Sequence, residues 1–321
     1  MMEYLASLAI AFLVSLILTK LLIPRLIGAG ITGADENKSG SPQVAEMGGI
    51  AIVAGFSAGL LLAIAFHSFL SLELNLVYIL AAVITIHTIA FIGIVDDLLS
   101  IPQWLKAVLP LFAAVPLVAV KAAGSTAILL PFLGVVDFGM IYIVALVPLA
   151  IAVCSNLTNM LAGFNGLEAG MGSVMFGALA LVALATGSAE MSVLSLSMLG
   201  ALLGFLVFNR YPAGVFPGDV GTLTIGCVLA GTVIIGNLES AGAILMVPYI
   251  IDFFIKAANG FPHTHQEQKG GRLLPKGGKV KGFVHLAMKA FGGLSERGLV
   301  LFFVALEAAF ALVVLALYLK R

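Results

Sequence analysis

The chain has 321 residues, 61% of them hydrophobic and only 10% charged; sixteen Lys or Arg balance sixteen Asp or Glu, and mean hydropathy is +1.16. An average soluble domain carries roughly 25% charged residues, so these values exclude a soluble protein and place the chain in a lipid bilayer. Nucleic acid is not an expected partner. The two cysteines, Cys154 and Cys227, lie in apolar surroundings without metal-ligand spacing and read as packing residues.

Apolar runs long enough to cross a membrane fall at about 4–24, 47–69, 76–95, 106–121, 139–155, 168–186, 191–208, 220–236, 241–259 and 298–319. The expected fold is an all-α polytopic membrane protein of about ten transmembrane helices. The first run begins with Glu3 and meets its cations, Lys20 and Arg25, only near its end, so it reads as a retained span rather than a cleaved signal. Lys and Arg concentrate in the loops 25–46, 96–106, 156–168, 209–219 and 260–297, which the positive-inside rule puts in the cytoplasm. Lys121, Lys320 and Arg321 are the exceptions, and both termini are then expected outside. With no linker and no internal repeat, residues 1–321 read as one membrane domain.

Further features follow along the chain. Gly55 with Gly59, and Gly200 with Gly204, stand four apart and suit close helix approach. Residues 122–138 mix glycine, proline and alternating apolar residues, which predicts a short hairpin on the outer surface. Beyond "PHTH" (262–265), Lys281, His285 and Lys289 recur at four-residue spacing opposite Phe283, Leu286, Ala287, Ala290 and Phe291. That pattern predicts a basic amphipathic helix on the cytoplasmic interface.

The polar clusters "ADENKSGSPQVAEMGG" (34–49), "DDLLSIPQWLK" (96–106), "NLTNMLAGFNGLEAG" (156–170), "NRYPAGVFPGDVG" (209–221) and "PHTH" all fall on the same predicted face. A lone acid at a helix end is equally a solvated cap, but five clusters on one side point to a site. Asp96, Asp97, Asn159 and Asp219 offer the oxygens a hard cation such as Mg²⁺ takes alongside substrate phosphates. Lys106, Arg210, His263, His265 and Arg272 offer donors for phosphate charge. Helices predicted to start near 168 and 220 aim their N-terminal dipoles into the same region. Phe216 reads as a packing residue or as a platform for a base. Together these features suit a nucleotide-linked phosphate meeting a membrane-embedded partner.

The ordered motifs "GIVDDLLSIPQWLK", "NLTNMLAGFNGLEAG", "NRYPAGVFPGD" and "PHTH" resemble those of the polyprenyl-phosphate N-acetylhexosamine-1-phosphate transferases, over almost the whole chain. The resemblance is greatest to the eukaryotic and archaeal branch, because Asn159 and Asn165 stand where the bacterial peptidoglycan enzyme has aspartates. It implies Mg²⁺, with Mn²⁺ as a substitute, on Asn159 and Asp219. It implies a catalytic group of Asp96, Asp97 and Lys106 at the reacting phosphate. Uridine would be held by Phe216 with Gly163, Phe164 and Asn165, and Glu46 would lie near the nucleotide. "PHTH" is poorer in Arg or His than the family's basic motif, so His263 and His265 are placed by position, with Arg272 or Lys269 sharing their role.

The implied reaction moves GlcNAc-1-phosphate, or that of another N-acetylhexosamine, from a UDP-sugar to polyprenyl or dolichyl phosphate, releasing UMP. The lipid phosphate is already mostly ionised at neutral pH, its second pKa being about 6, so direct attack asks little of a protein base; a covalent aspartyl route is the alternative. An ion-coupled transporter would place its polar residues near mid-span and show inverted repeats. An intramembrane aspartyl protease would need two facing aspartates inside the bilayer. Oligomeric state is open, a homodimer being compatible with the sequence.

Overall fold

A computed structural model describes residues 1–319 except 39, 71, 123, 131 and 132; Lys320 and Arg321 lie outside the described residues. The chain begins with α1 (Met2–Gly28), a hairpin of β1 (Thr32–Ala34) and β2 (Gln43–Ala45), α2 (Gly49–Leu70) and α3 (Leu76–Leu99). The α4 (Gln103–Ala113) and α5 (Val115–Lys121) pair, broken at Ala114, leads into β3 (Ala127–Leu130) and β4 (Gly134–Asp137). A π-helical turn, Tyr142–Leu146, runs into α6 (Val147–Met160), followed by α7 (Leu167–Thr186), α8 (Ala189–Asn209) and α9 (Gly218–Ile235). The last third holds α10 (Glu239–Leu245), α11 (Val247–Ala258), β5 (Gln266–Lys269), β6 (Arg272–Pro275), α12 (Phe283–Ala290) and α13 (Glu296–Tyr318).

Among the described residues nine segments are long and apolar enough to cross a membrane. The α10–α11 pair, bent by 59°, makes a tenth if it is one span. The predicted runs coincide with these helices to within a few residues, because a bilayer of about 30 Å demands some 20 apolar residues per crossing. Loop starts differ more. The loops expected to start at 25, 96 and 156 start after Gly28, Leu99 and Met160, so Asp96 and Asp97 ride on the last turn of α3, and Asn156 and Asn159 on the end of α6.

Helices α7, α8 and α9 form the centre, their residues mostly buried, while α1 and α13 expose wide apolar faces. Small residues set the spacing. A Cβ on Gly200 would lie 2.2 Å from the Leu8 carbonyl oxygen, and one on Gly204 2.4 Å from that of Phe12, so α8 lies directly on the α1 backbone. Gly93 does the same for α3, where a Cβ would meet the Val220 Cα at 2.5 Å.

The predicted 122–138 hairpin is present as β3 paired antiparallel with β4. Two further antiparallel hairpins, β1–β2 and β5–β6, were not foreseen. The α12 helix is where the spacing put it, but its faces differ from expectation. His285 is fully buried, whereas Leu286 and Phe291 are exposed. His285 turns inward because its Nδ1 accepts the Lys281 N–H at 3.3 Å, tying the ring to the start of the helix.

Candidate functional site

The carboxyl end of α3 and the amino end of α9 are joined by Asp97. Its Oδ1 accepts the Asp219 N–H at 2.7 Å and its Oδ2 the Val220 N–H at 3.1 Å. These are N–H groups that a helix start leaves unpaired, and an anion there also meets the positive end of the dipole. Gly218, at φ +67, is required here, since a Cβ would lie 2.6 Å from Asp97 Oδ2.

Its neighbour does something different, because successive helical residues point about 100° apart. Asp96 Oδ1 accepts the Ile101 N–H at 3.0 Å and Oδ2 is ion-paired with Lys106. The same ammonium reaches Asp219 Oδ2 at 3.1 Å. Lys106 thus bridges two carboxylates from α3 and α9. Asn156 Nδ2 donates to the Lys106 carbonyl at 3.4 Å and steadies α4 against α6. One turn on, Asn159 Oδ1 accepts from Thr222 Oγ1 at 3.0 Å, which sets it beside Asp219 at the head of α9.

A cavity of about 340 Å³ opens beside this junction. Of the sequence-selected residues, Glu46, Asn159, Gly163, Phe164, Phe216 and Asp219 line it. Asp35, Glu36, Asn37, Glu168, Thr222, Thr264 and Gln266 also line it; of these the sequence reading had weighed only Asp35, as a cap or a site acid. The wall therefore carries the carboxylates of Asp35, Glu36, Glu46, Glu168 and Asp219 and, among the described residues, no Lys or Arg. Burial, and then the charge of Asp97, push the Glu46 carboxyl above the usual carboxylate range.

The wall is assembled from loops distant in sequence. The Phe216 N–H donates to the Ala45 carbonyl at 2.7 Å, and the Phe216 carbonyl accepts the Gly48 N–H at 2.9 Å, fastening 210–217 along the first hairpin. Gly163, at φ +106, donates its N–H to Glu168 Oε1 at 2.6 Å and accepts from Asn37 Nδ2 at 2.7 Å. Asn37 Oδ1 accepts in turn from Gln266 Nε2.

Asn165 lies behind the wall, 2% exposed. Its Oδ1 accepts from Lys38 Nζ at 2.6 Å and the Ala213 N–H at 2.7 Å, and its Nδ2 donates to Asp35 Oδ2 at 3.1 Å. Its own N–H donates to Glu296 Oε1 at 2.9 Å. One amide side chain thus knits three loops together. Asp96, Asp97 and Lys106 adjoin the cavity through Asp219 without lining it.

The remaining basic candidates are peripheral. Arg210 is exposed at the end of α8, and Arg272 is exposed on β6 opposite Lys269. His263 and His265 are exposed while Thr264 and Gln266 face the cavity, as alternation along an extended segment requires. His265 Nδ1 lies 3.4 Å from Glu36 Oε2, its nearest link to the wall.

The donor chemistry suits a hard cation. Among the described residues no three His, Cys, Asp or Glu side chains converge as a complete ligand set. Asn159 and Asp219 supply a carboxamide and a carboxylate oxygen on an otherwise anionic wall. A small protein share of that kind is what Mg²⁺ uses when substrate phosphates complete its shell.

Fold and site together describe an integral membrane enzyme with its polar cavity at one end of a helix bundle. Residues 76–237 match the glycosyl transferase family 4, to which the chain belongs. A Saccharolobus solfataricus protein provisionally named UDP-N-acetylglucosamine–dolichyl-phosphate N-acetylglucosaminephosphotransferase is 36% identical, over 96% of this chain and 94% of its own. The Dictyostelium discoideum enzyme of that name is 28% identical over 88% of this chain and 81% of its own. A phospho-N-acetylmuramoyl-pentapeptide-transferase of Halalkalibacterium halodurans is 31% identical over 77% and 79%. The chain is accordingly a glycosylphosphotransferase.

Proposed function

We propose that the protein transfers an N-acetylhexosamine-1-phosphate, GlcNAc-1-phosphate first among them, from a UDP-sugar to polyprenyl or dolichyl phosphate. The observation that carries this is the cavity whose wall, among the described residues, holds five carboxylates and no Lys or Arg, joined through Asp219 to the Lys106 bridge. A nucleotide diphosphate entering such a wall needs compensating cations. Asn159 and Asp219 would hold Mg²⁺, which when bound neutralises phosphate charge and stabilises the leaving oxygens. The transporter reading finds no comparable support.

In the proposed step an oxygen of the lipid phosphate attacks the sugar-bearing phosphorus of the donor. The bond from that phosphorus to the bridging oxygen breaks, UMP carries the oxygen away, and a lipid pyrophosphoryl sugar remains. Lys106 places a fixed cation next to the reacting phosphates, worth more in this half-buried setting than in water. Asp96 holds that cation in place. Both Asp97 oxygens accept α9 N–H groups, which gives Asp97 the task of fixing Asp219. Phe216 and the 163–165 loop would receive the uridine, with Asn165 acting through the loops it ties.

The orientation that goes with this reading has the cavity in the cytoplasm, both termini outside and residues 1–321 acting as one unit. Purified protein supplied with UDP-GlcNAc or UDP-GalNAc and a short dolichyl phosphate should release UMP only when lipid phosphate and Mg²⁺ are both present. UMP release independent of the lipid would overturn the reaction.

A further inference from the structure

We propose that the buried Asp252–Lys256 pair is a positioning device for Asn159, an inference that rests on the assignment of Asn159 to the metal in the proposed function. Lys256 lies in the last turn of α11, and its ammonium touches Asp252 Oδ2 at 2.7 Å and the backbone carbonyl of Met160. Met160 is the last residue of α6. The cation therefore sits where a helix leaves carbonyls unpaired and its dipole is negative. Asn159 is the residue immediately before.

The other half of the pair grips a different helix. Asp252 is fully buried, and its Oδ1 accepts the N–H of Phe283 at 2.7 Å. Phe283 is the first residue of α12, whose N-cap, Gly282, has no side chain to offer. One ion pair thus links the carbonyl end of α6 to the N–H end of α12, each charge meeting a helix end of opposite sign.

The pair also backs the cavity wall. A Cβ on Gly282 would lie 3.0 Å from Asp252 Oδ1, 3.1 Å from Thr264 Cγ2 and 3.3 Å from Lys256 Cε, and Thr264 is a wall residue. Asn159 is consequently held twice. Thr222 fixes its amide from the α9 side, and Lys256 holds the carbonyl of the next residue, Met160, from the α11 side. Removing the second tether lets the end of α6 shift against α9, which separates Asn159 from Asp219.

The test uses purified full-length protein in detergent, titrated with Mn²⁺ at fixed UMP, with free Mn²⁺ read by EPR. Lys256→Met alone would strand a buried carboxylate, so Asp252→Asn/Lys256→Met removes both charges while leaving an amide oxygen for the Phe283 N–H. Asp252→Asn/Lys256→Gln is a second route to a neutral pair. Either should raise the Mn²⁺ dissociation constant about tenfold or more, the range seen when outer supports of metal ligands are lost. Added to Asn159→Ala, they should cause no further rise. A folded neutral pair with wild-type Mn²⁺ affinity, alongside an Asn159→Ala protein that binds weakly, would overturn this inference alone. Wild-type affinity in Asn159→Ala would remove the metal assignment and the inference with it.

Discussion

Lys106 and Lys121 stand at opposite ends of the α4–α5 pair, and both are drawn among polar groups away from water. Lys106 is ion-paired with Asp96 and Asp219, and Asp219 belongs to the wall of the 340 Å³ cavity. Lys121, 2% exposed, donates to Asn237 Oδ1 and lies 5.7 Å from the centre of the Tyr142 ring, whose hydroxyl donates to Glu239. None of Lys121, Tyr142, Asn237 and Glu239 reaches that cavity. The second cluster is balanced, one ammonium against one carboxylate. The first adjoins an excess of carboxylates and open volume. Burial of a charge alone therefore does not mark a site; charge left uncompensated beside a cavity does.

That contrast can be broken most directly at Lys106. Lys106→Ala should lower UMP release by about 10²-fold or more, the loss typical of removing one group aimed at transition-state charge. The Mg²⁺ concentration giving half-maximal rate should not rise, because Asp219 loses the ammonium that competes for its Oδ2. Asn159→Ala and Asp219→Ala should do the reverse in part, raising that concentration by about tenfold or more. A metal titration of all three variants separates the roles, and a uniform loss with unchanged metal dependence would remove Asn159 and Asp219 as ligands.

The two lysines also show what the sequence could reveal. Spans were legible because membrane thickness imposes a run length, and Lys121 stood out as an exception to the expected orientation. The split duty of Asp96 and Asp97 was not, since neighbours in sequence diverge on a helix and meet different partners. Asp35, Lys38 and Glu296 gather on Asn165 across more than 120 residues, a separation that leaves no local pattern. The β1–β2 hairpin is three residues a side and escapes any periodicity. His285 failed the amphipathic pattern because a hydrogen bond to its own helix start, not its polarity, decides which way it points.

At the closed end, Lys121→Met should leave KM for the donor and the metal dependence unaltered. It removes the hydrogen bond from the Lys121 ammonium to the exposed Asn237, a loss of about 1 kcal/mol for one net hydrogen bond. Thermal inactivation in detergent is the measurement, and a Lys121→Met protein with normal stability but altered KM would erase the distinction between the two ends.

The smallest effect concerns Glu46. Burial and the nearby Asp97 charge hold its folded-state affinity for a proton above that of an ordinary glutamate. The folded protein therefore binds more protons than the unfolded chain as pH falls through the acidic range, and this group's contribution to stability declines as pH rises through the folded value. At neutral pH the ionised carboxylate opposes folding. Glu46→Gln, isosteric and uncharged, should accordingly raise the apparent unfolding midpoint at pH 7.5, and the gain should shrink as the pH is lowered toward 4.5. If the wall keeps that charge for its cation-bound substrate, the same variant should bind Mn²⁺ with UMP more weakly even as it becomes more stable. A gain independent of pH would mean that Glu46 acts through its shape, and the uncompensated charge of the wall would then lie with its other carboxylates.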